Sequence, residues 1–220
     1  MRRLFVHMPK CAGTSIAQMM PHSILDNDTF CRLPTQQRNE RVIESLLAPH
    51  DLSEGAIVYG HFFPVKYIGG IMNSTYIVVT ILRDPIERIK SHYNMWNNAK
   101  SFNHYVWRMM KEEQWTFEAF ALCEEMRNLY TRYLSYVPIG MIAYIGLYEN
   151  LEQSVRKCFE VLDIPHPDTP IPRANVTIDK ADIELDADTY NRIKAFHADD
   201  YALYEYAKRK FHTEWSNAPQ

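Results

Sequence analysis

The stretch that decides the fold lies at residues 4–15 and reads LFVHMPKCAGTS. The apolar run at residues 4–8 predicts a buried strand, and the apolar spacing at residues 14–20 predicts a helix. Pro9 ends the first pattern, so a tight turn must join the strand to the helix. The sequence therefore opens with a strand, a turn and a helix.

The turn carries residues that suit a phosphate group. Gly13 lets a ligand approach the backbone closely, and free N–H groups and the helix dipole favour an anion at a helix start. Lys10 adds a positive charge, and Thr14 and Ser15 add hydroxyl donors. A phosphate-binding turn is the first hypothesis, and a plain strand-to-helix turn with an incidental lysine is the alternative.

This turn differs from the Walker A loop of nucleotide-binding proteins. In that motif the lysine directly follows the last glycine, as in GxxxxGK[ST]. Here Lys10 precedes Gly13 by three residues. The lysine must therefore reach a phosphate from the strand side of the turn.

A second motif follows the most apolar run of the chain and reads RDPIERIKS at residues 83–91. Asp84 is placed to cap a helix, with Pro85 at the first helical position. We interpret Asp84 as a cap in preference to a metal ligand. Arg83 would then lie at the end of a strand, with Ser91 two turns into the helix, and the two together suit a second phosphate.

Strand and helix patterns alternate along the chain. Strands are predicted at residues 4–8, 57–62, 75–82 and 141–147, and helices at 14–20, 36–47, 85–97, 103–113, 116–124, 126–136, 149–162 and 186–211, with loops at 21–35 and 163–180. Such alternation predicts an α/β layered fold with a mainly parallel sheet, in which ligands bind at the carboxyl ends of the strands. We expect a single domain over residues 1–220.

Composition narrows the class of protein. The 220 residues are 46% hydrophobic and 23% charged with a net charge of −3, which argues against a general nucleic-acid binder. The four cysteines are scattered without metal-ligand spacing, which favours a reduced intracellular protein. The sequence shows neither a signal-peptide pattern nor a run long enough to span a membrane. We expect a cytoplasmic protein.

The motifs at residues 9–15 and 83–91 resemble the two nucleotide-binding signatures of sulfotransferases, in particular the carbohydrate group that includes heparan sulfate 2-O-sulfotransferase and its bacterial relatives. Weaker resemblances follow in order: GHF at 60–62, NLYTRYL at 128–134, IGLYENL at 145–151 and the helix pattern at 200–207. The resemblance covers residues 4–211. One departure is Cys11, where a polar or small residue is commoner.

This resemblance implies a P-loop-like three-layer fold and the donor 3′-phosphoadenosine 5′-phosphosulfate (PAPS), which leaves as PAP. It implies that Lys10 is catalytic and binds the donor, neutralising charge as the S–O bond breaks. The 5′-phosphosulfate site is implied at Cys11, Ala12, Gly13, Thr14 and Ser15, and the 3′-phosphate site at Arg83 and Ser91, with Arg173 closing over the nucleotide. No metal is expected.

The remaining expectations concern the acceptor. His61 lies at the end of the second predicted strand, and we expect it to be the base that takes the acceptor's hydroxyl proton and to contact the acceptor. A hydrogen-bonded structural histidine is the alternative. His7 and His92 are expected to pack in the core. Arg132 is a candidate contact to the substrates. Residues 97–115 predict either a lid over a sugar or an amphipathic helix.

Several functions remain compatible with the sequence alone. The preferred one is a PAPS-dependent sulfotransferase acting on a hydroxyl, with a saccharide as the expected acceptor and a small natural product as the alternative. A P-loop kinase would require magnesium and ATP, and a non-catalytic nucleotide-binding module would lack turnover. The sequence leaves the oligomeric state open.

Overall fold

A parallel five-stranded sheet forms the centre of the computed structural model, which describes residues 1–20, 22–28, 35–47, 52–166, 169–172 and 182–216. The strands are β1 (Arg2–Val6), β2 (Ile24–Leu25), β3 (Ile57–Gly60), β4 (Tyr76–Leu82) and β5 (Tyr144–Leu147). Their order across the sheet is β2-β3-β1-β4-β5, and every pairing is parallel. The predicted α/β fold is confirmed.

Helices connect and flank these strands. They are α1 (Gly13–Ala17), α2 (Thr35–Leu47), α3 (Ile68–Met72), α4 (Pro85–Asn98), α5 (Tyr105–Glu112), α6 (Phe117–Ala121), α7 (Leu129–Tyr133), α8 (Leu151–Val161), α9 (Ala187–Phe196) and α10 (Ala198–Ser216). Within the described ranges, none of these helices is both long enough and apolar enough to cross a membrane.

The register of the sheet brings three strand ends together. Val6 in β1 lies opposite Gly60 in β3 on one side and Thr80 in β4 on the other. The segments that leave these strands therefore emerge at one edge of the sheet. His61 directly follows β3, and Arg83 directly follows β4. The position of the predicted site residues is thus a consequence of strand order.

Two apolar clusters hold these elements in place. The larger surrounds the sheet, where the apolar run of β4 is almost entirely buried, as expected for a parallel strand covered on both faces. The smaller lies among the helices and includes Ile89, Trp96, Val106, Phe120 and Ile193. Complete burial of each such side chain contributes about 1.5–3 kcal/mol. The helical middle of the chain therefore has its own core beside the sheet.

The structure differs from the sequence prediction in several places. The helix α3 was not predicted, β3 ends at Gly60 instead of residue 62, and β5 begins at Tyr144 instead of residue 141. A short strand, β2, lies inside the predicted loop at 21–35, and α1 is shorter than the predicted helix 14–20. The predicted helix 126–136 is a short 3₁₀ turn followed by α7. The predicted terminal helix is divided into α9 and α10 at His197, whose buried ring accepts the Asn128 N–H through Nδ1 and donates to the Ala121 carbonyl through Nε2.

Candidate active site

A cavity of about 1330 Å³ opens at the carboxyl ends of β1, β3 and β4. It brings together most of the residues that the sequence singles out, namely Lys10, Ala12, Gly13, Thr14, Ser15, His61, Arg83, Ser91 and Arg132. These residues come from the first loop, two strand ends and three helices, α1, α4 and α7. The fold, and not sequence proximity, assembles the site.

The loop between β1 and α1 has an unusual backbone. Lys10 and Ala12 adopt left-handed conformations, with φ of 69° and 62°. Alternating left-handed residues turn successive N–H groups toward one concave side, which is a common arrangement for anions. Because α1 has only five residues, the loop amides contribute more to such a site than the helix dipole does.

Gly13 is required by close packing against a histidine. A Cβ atom at this position would lie 1.6 Å from Cε1 of His7. The Gly13 carbonyl accepts a hydrogen bond of 2.5 Å from the Tyr59 hydroxyl. A side chain at position 13 would therefore displace either the loop or the His7 ring.

Cys11 does not line the cavity, which differs from its expected place in the donor site. Its side chain is buried, its N–H donates to the Met8 carbonyl, and burial raises the pKa of its thiol to about 11. Its Sγ lies 3.7 Å from the Tyr130 hydroxyl, which also accepts from the Arg83 N–H and donates to the Arg83 carbonyl. Cys11 therefore connects the first loop to the segment that carries Arg83.

Lys10 and Arg83 concentrate positive charge at one side of the cavity. Burial, and then the neighbouring Arg83 charge, lower the pKa of Lys10. The Arg83 guanidinium lies over the Tyr148 ring at 4.4 Å and is 3.9 Å from a Glu87 carboxylate oxygen. A bound anion between these cations would relieve their repulsion.

The helix start beside Arg83 has the predicted geometry. The Asp84 side chain accepts the Glu87 N–H at 3.0 Å, and Pro85 occupies the first turn of α4. The Asp84 N–H in turn donates to a Glu149 carboxylate oxygen at 2.8 Å. The prediction that Asp84 caps a helix is therefore confirmed, and Glu149 fixes the turn from the β5–α8 junction.

His61 is held in one orientation by its neighbours. Its Nδ1 lies 2.8 Å from the His7 carbonyl oxygen, and the two imidazole rings stack with centroids 4.2 Å apart. Because a carbonyl oxygen can only accept, Nδ1 carries the proton in the neutral ring and Nε2 carries the lone pair. Burial, followed by the charges of His61 and Lys10, lowers the pKa of His7 well below its usual value, so His7 remains neutral.

A second pair of cations lies on α2 and α7. Arg38 is buried, and Arg132 donates to the carbonyls of Glu124 and Glu125. Burial and the nearby Arg38 charge lower the pKa of Arg132 to about 10. Both guanidinium side chains line the cavity, so it contains two cationic regions.

Comparison with known proteins shows the family to which the chain belongs. A family model, that of the sulfotransferase family, matches residues 3–207. The chain belongs to the sulfotransferase family. Among solved structures it is similar to a sulfotransferase from Alicyclobacillus acidocaldarius, with 18% identity, a TM-score of 0.42, and coverage of 91% of this chain and 92% of that chain. No curated protein matches the chain.

Family membership identifies the protein as an enzyme that transfers a sulfuryl group. Two weaker motifs of this sulfotransferase have a structural role. The Asp200 carboxylate accepts the backbone N–H groups of Tyr130 and Thr131 at the start of α7, and the Asn128 amide donates to Asp199. The motif at 200–207 therefore supports the helix that carries Arg132.

Sequence reasoning missed several cavity residues of the sulfotransferase. Arg38 lies one helical turn before the buried Val42 in α2, so its position on the inner face was readable from helical spacing. The sequence predicts packing roles for His7 and His92, and both also line the cavity. For His92, burial and the Arg88 charge lower the pKa well below its usual value. The position of Tyr148 in the site could not be predicted from the sequence, because it depends on the contact between its ring and the Arg83 guanidinium.

The segment at 97–115 has two parts, one that lines the cavity and one that forms a helix. Asn98, Ala99, Phe102 and His104 line the cavity. The other part of the segment forms α5, which buries Val106 and exposes its charged face. The amphipathic-helix interpretation therefore holds for α5, and the lid over a sugar stays a prediction. Arg173 lies outside the described residues, although the adjacent residues 170–172 line the cavity.

Proposed function

We propose that this enzyme transfers the sulfuryl group of PAPS to a saccharide hydroxyl, with His61 as the general base. The observation that carries the proposal is one cavity in which a left-handed amide loop, Lys10, Arg83 and an oriented imidazole meet. Each feature answers a separate requirement of sulfuryl transfer: donor binding, charge neutralisation and proton removal. The single domain and the cytoplasmic location remain predictions.

The first loop and the start of α4 would bind the donor. PAPS would supply an activated sulfuryl group and a nucleotide with phosphates at its 5′ and 3′ positions. The backbone amides of residues 12–15 would bind the 5′-phosphate, and Arg83 with Ser91 the 3′-phosphate. The lowered pKa of Lys10 supports this fit, because burial and then the neighbouring Arg83 charge disfavour its ammonium form, and a bound phosphate would offset both effects.

Lys10 would neutralise the charge that develops on the leaving oxygen. In the transfer, the S–O bond to the nucleotide breaks while the acceptor oxygen forms a new bond to sulfur. An electrostatic contact of this kind is typically worth about 2.7–4 kcal/mol of activation free energy. The product PAP then carries the additional negative charge beside Lys10.

His61 would take the proton of the acceptor hydroxyl. Its Nδ1–H donates to the His7 carbonyl, which leaves the Nε2 lone pair as the basic site. The stacked, neutral His7 ring limits rotation of the His61 ring. The proton moves from the acceptor oxygen to Nε2 as the new O–S bond forms.

The second cationic region supports an acceptor that itself carries negative charge. Arg38 and Arg132 line the cavity, and the partly exposed ring of Phe102 also faces it. Guanidinium groups bind carboxylates and sulfates, and aromatic rings stack on the apolar faces of sugars. An acidic sugar fits these residues better than a neutral one.

Transfer of radioactive sulfate from [³⁵S]PAPS tests the proposal. The acceptors would be a uronic-acid tetrasaccharide, its carboxyl-reduced neutral analogue and p-nitrophenol. We expect transfer to the acidic sugar, a loss of at least about 100-fold in His61→Ala, and unchanged PAP affinity in that variant. The exposed His212→Ala is the matched control. Full activity in His61→Ala, or no transfer to any of the three acceptors, would overturn the proposal.

A further inference from the structure

We infer that residues 26–28, here called the 26–28 clamp, position the base, and that Asn27 is a positioning residue for His61. This inference rests on the proposed function, because it concerns the residue assigned there as the base. The clamp follows β2, a strand that sequence periodicity does not reveal. Its contacts explain why such a short strand belongs to the sheet.

The clamp occupies both backbone hydrogen-bonding groups of His61. The Asn27 side-chain oxygen accepts the His61 N–H at 2.9 Å, and the Asp28 N–H donates to the His61 carbonyl at 2.8 Å. One residue earlier, the Asp26 N–H donates to the Tyr59 carbonyl at 3.0 Å. The clamp therefore continues the strand pairing past the end of β3, with an amide side chain replacing a backbone acceptor.

Gly60 brings the clamp into direct contact with β3. Its φ of +147° disfavours other residues, and a Cβ atom would lie 2.0 Å from the Asp26 carbonyl oxygen. The backbone of the clamp therefore lies where a side chain would otherwise project. This contact fixes the distance between the clamp and the peptide that precedes His61.

A buried lysine secures the two acidic members of the clamp. Lys66 Nζ lies 2.6 Å from an Asp26 carboxylate oxygen and 2.8 Å from an Asp28 carboxylate oxygen. The Tyr67 hydroxyl donates to Asp26, and the Phe63 N–H donates to Asp28. Buried ion pairs contribute little net stability and are better suited to defining a geometry. The network therefore holds the clamp in one position.

His61 is consequently fixed at three points: its N–H, its carbonyl and its Nδ1. Among these three contacts, Asn27 uses its side chain, whereas Asp28 and His7 use backbone groups. Loss of the Asn27 oxygen would release the peptide that sets the direction of the ring. A displacement of about 1 Å is enough to lower a rate by about 100-fold.

Ring spectroscopy and kinetics of an Asn27 variant test the inference. In ¹H–¹⁵N spectra of the histidine rings, we expect His61 of the native protein in the Nδ1–H form and His61 of Asn27→Ala exchanging between the two tautomers. The His61 signal is assigned from its absence in His61→Gln. We also expect kcat for the [³⁵S]PAPS reaction to fall about 100-fold in Asn27→Ala, with PAP affinity within twofold of the native value.

Two further variants separate positioning from folding. Asn73→Ala removes a similar side-chain acceptor from an exposed turn away from the cavity, where Asn73 accepts from Thr75, and it should leave kcat unchanged. Asn27→Asp keeps an oxygen acceptor and should retain kcat within about threefold.

The outcomes distinguish the clamp from the proposed function. If His61→Ala loses activity while Asn27→Ala keeps the native tautomer and kcat, the clamp is wrong and the base assignment stands. If His61→Ala is fully active, the base assignment fails and the positioning role fails with it. A tenfold loss of PAP affinity in Asn27→Ala would also overturn the inference, because it would place Asn27 in donor binding.

Discussion

Lys10 combines a left-handed backbone conformation with a lowered side-chain pKa. A non-glycine residue in the left-handed region costs about 1–3 kcal/mol and is retained where the surrounding structure demands it. Burial and Arg83 together lower the pKa of the same residue. Both features are unfavourable in the free protein. The binding of an anion, as proposed above, would offset the unfavourable burial of the Lys10 charge.

Replacement of Lys10 by methionine tests this interpretation. Methionine keeps much of the side-chain volume and removes the charge, so we expect kcat for transfer from PAPS to fall about 100- to 1000-fold. Single-turnover measurements at saturating PAPS would separate this loss from weaker binding. Lys208→Met, at a helix surface residue paired with Glu205, should remain fully active. A Lys10→Met enzyme within fivefold of native kcat would contradict the role of Lys10 in the transfer.

At the scale of elements, local sequence signals predicted the parts of the fold that local interactions determine. The β4–α4 unit is the clearest case, because its apolar run, its Asp84 cap and Pro85 all act within a few residues. Strand order then placed Arg83 and His61 at one edge of the sheet. The donor side of the candidate site was therefore largely predictable.

The parts that sequence reasoning missed depend on contacts distant in the chain. β2 has two residues, and its place is set by pairing with β3 and by the Lys66 network. No proline or glycine marks the division between α9 and α10 in the sequence. The hydrogen bonds of the His197 ring determine where it lies. The Arg38–Arg132 proximity likewise joins two separate helices. Single-sequence periodicity cannot report such contacts.

The close contact at Gly60 gives a prediction about stability. In Gly60→Ala the new methyl group meets the Asp26 carbonyl in a backbone conformation that alanine disfavours. We expect the free energy of unfolding to fall by about 2 kcal/mol or more, measured by urea titration. Gly140→Ala, where a Cβ atom has no neighbour within 4 Å, should change it by less than about 0.5 kcal/mol. Equal effects of the two substitutions would contradict the proposed contact.

For the whole molecule, buried neutral histidines predict sensitivity to acid. Burial lowers the pKa of His197 to about 4, whereas an unfolded histidine has a pKa near 6.5. Between these values the unfolded chain binds the proton and the folded protein does not, so stability falls as the pH falls from about 6.5 toward 4. His7 and His92 have pKa shifts in the same direction.

Urea unfolding at pH 7.5 and pH 5 measures this effect. The contribution of His197 to the free energy of unfolding should be about 2 kcal/mol lower at pH 5. That pH lies about 1.5 units below the unfolded pKa, and each unit corresponds to about 1.36 kcal/mol. In His197→Gln, the difference in unfolding free energy between pH 7.5 and pH 5 should shrink by that amount. The same substitution at the exposed His212 should leave this difference unchanged. An unchanged pH dependence in His197→Gln would show that His197 is protonated in the folded state.

We propose that the cavity binds a nucleotide through its 3′-phosphate beside Arg83. Calorimetric titration with PAP and with ADP, which lacks that phosphate, tests it most directly, in buffer containing EDTA. We predict that PAP binds, that ADP binds much more weakly, and that Arg83→Ala reduces PAP affinity about 10- to 100-fold while exposed Arg156→Ala does not. Equal affinity for PAP and ADP, or an Arg83→Ala variant with native PAP affinity, would contradict a 3′-phosphate site at Arg83.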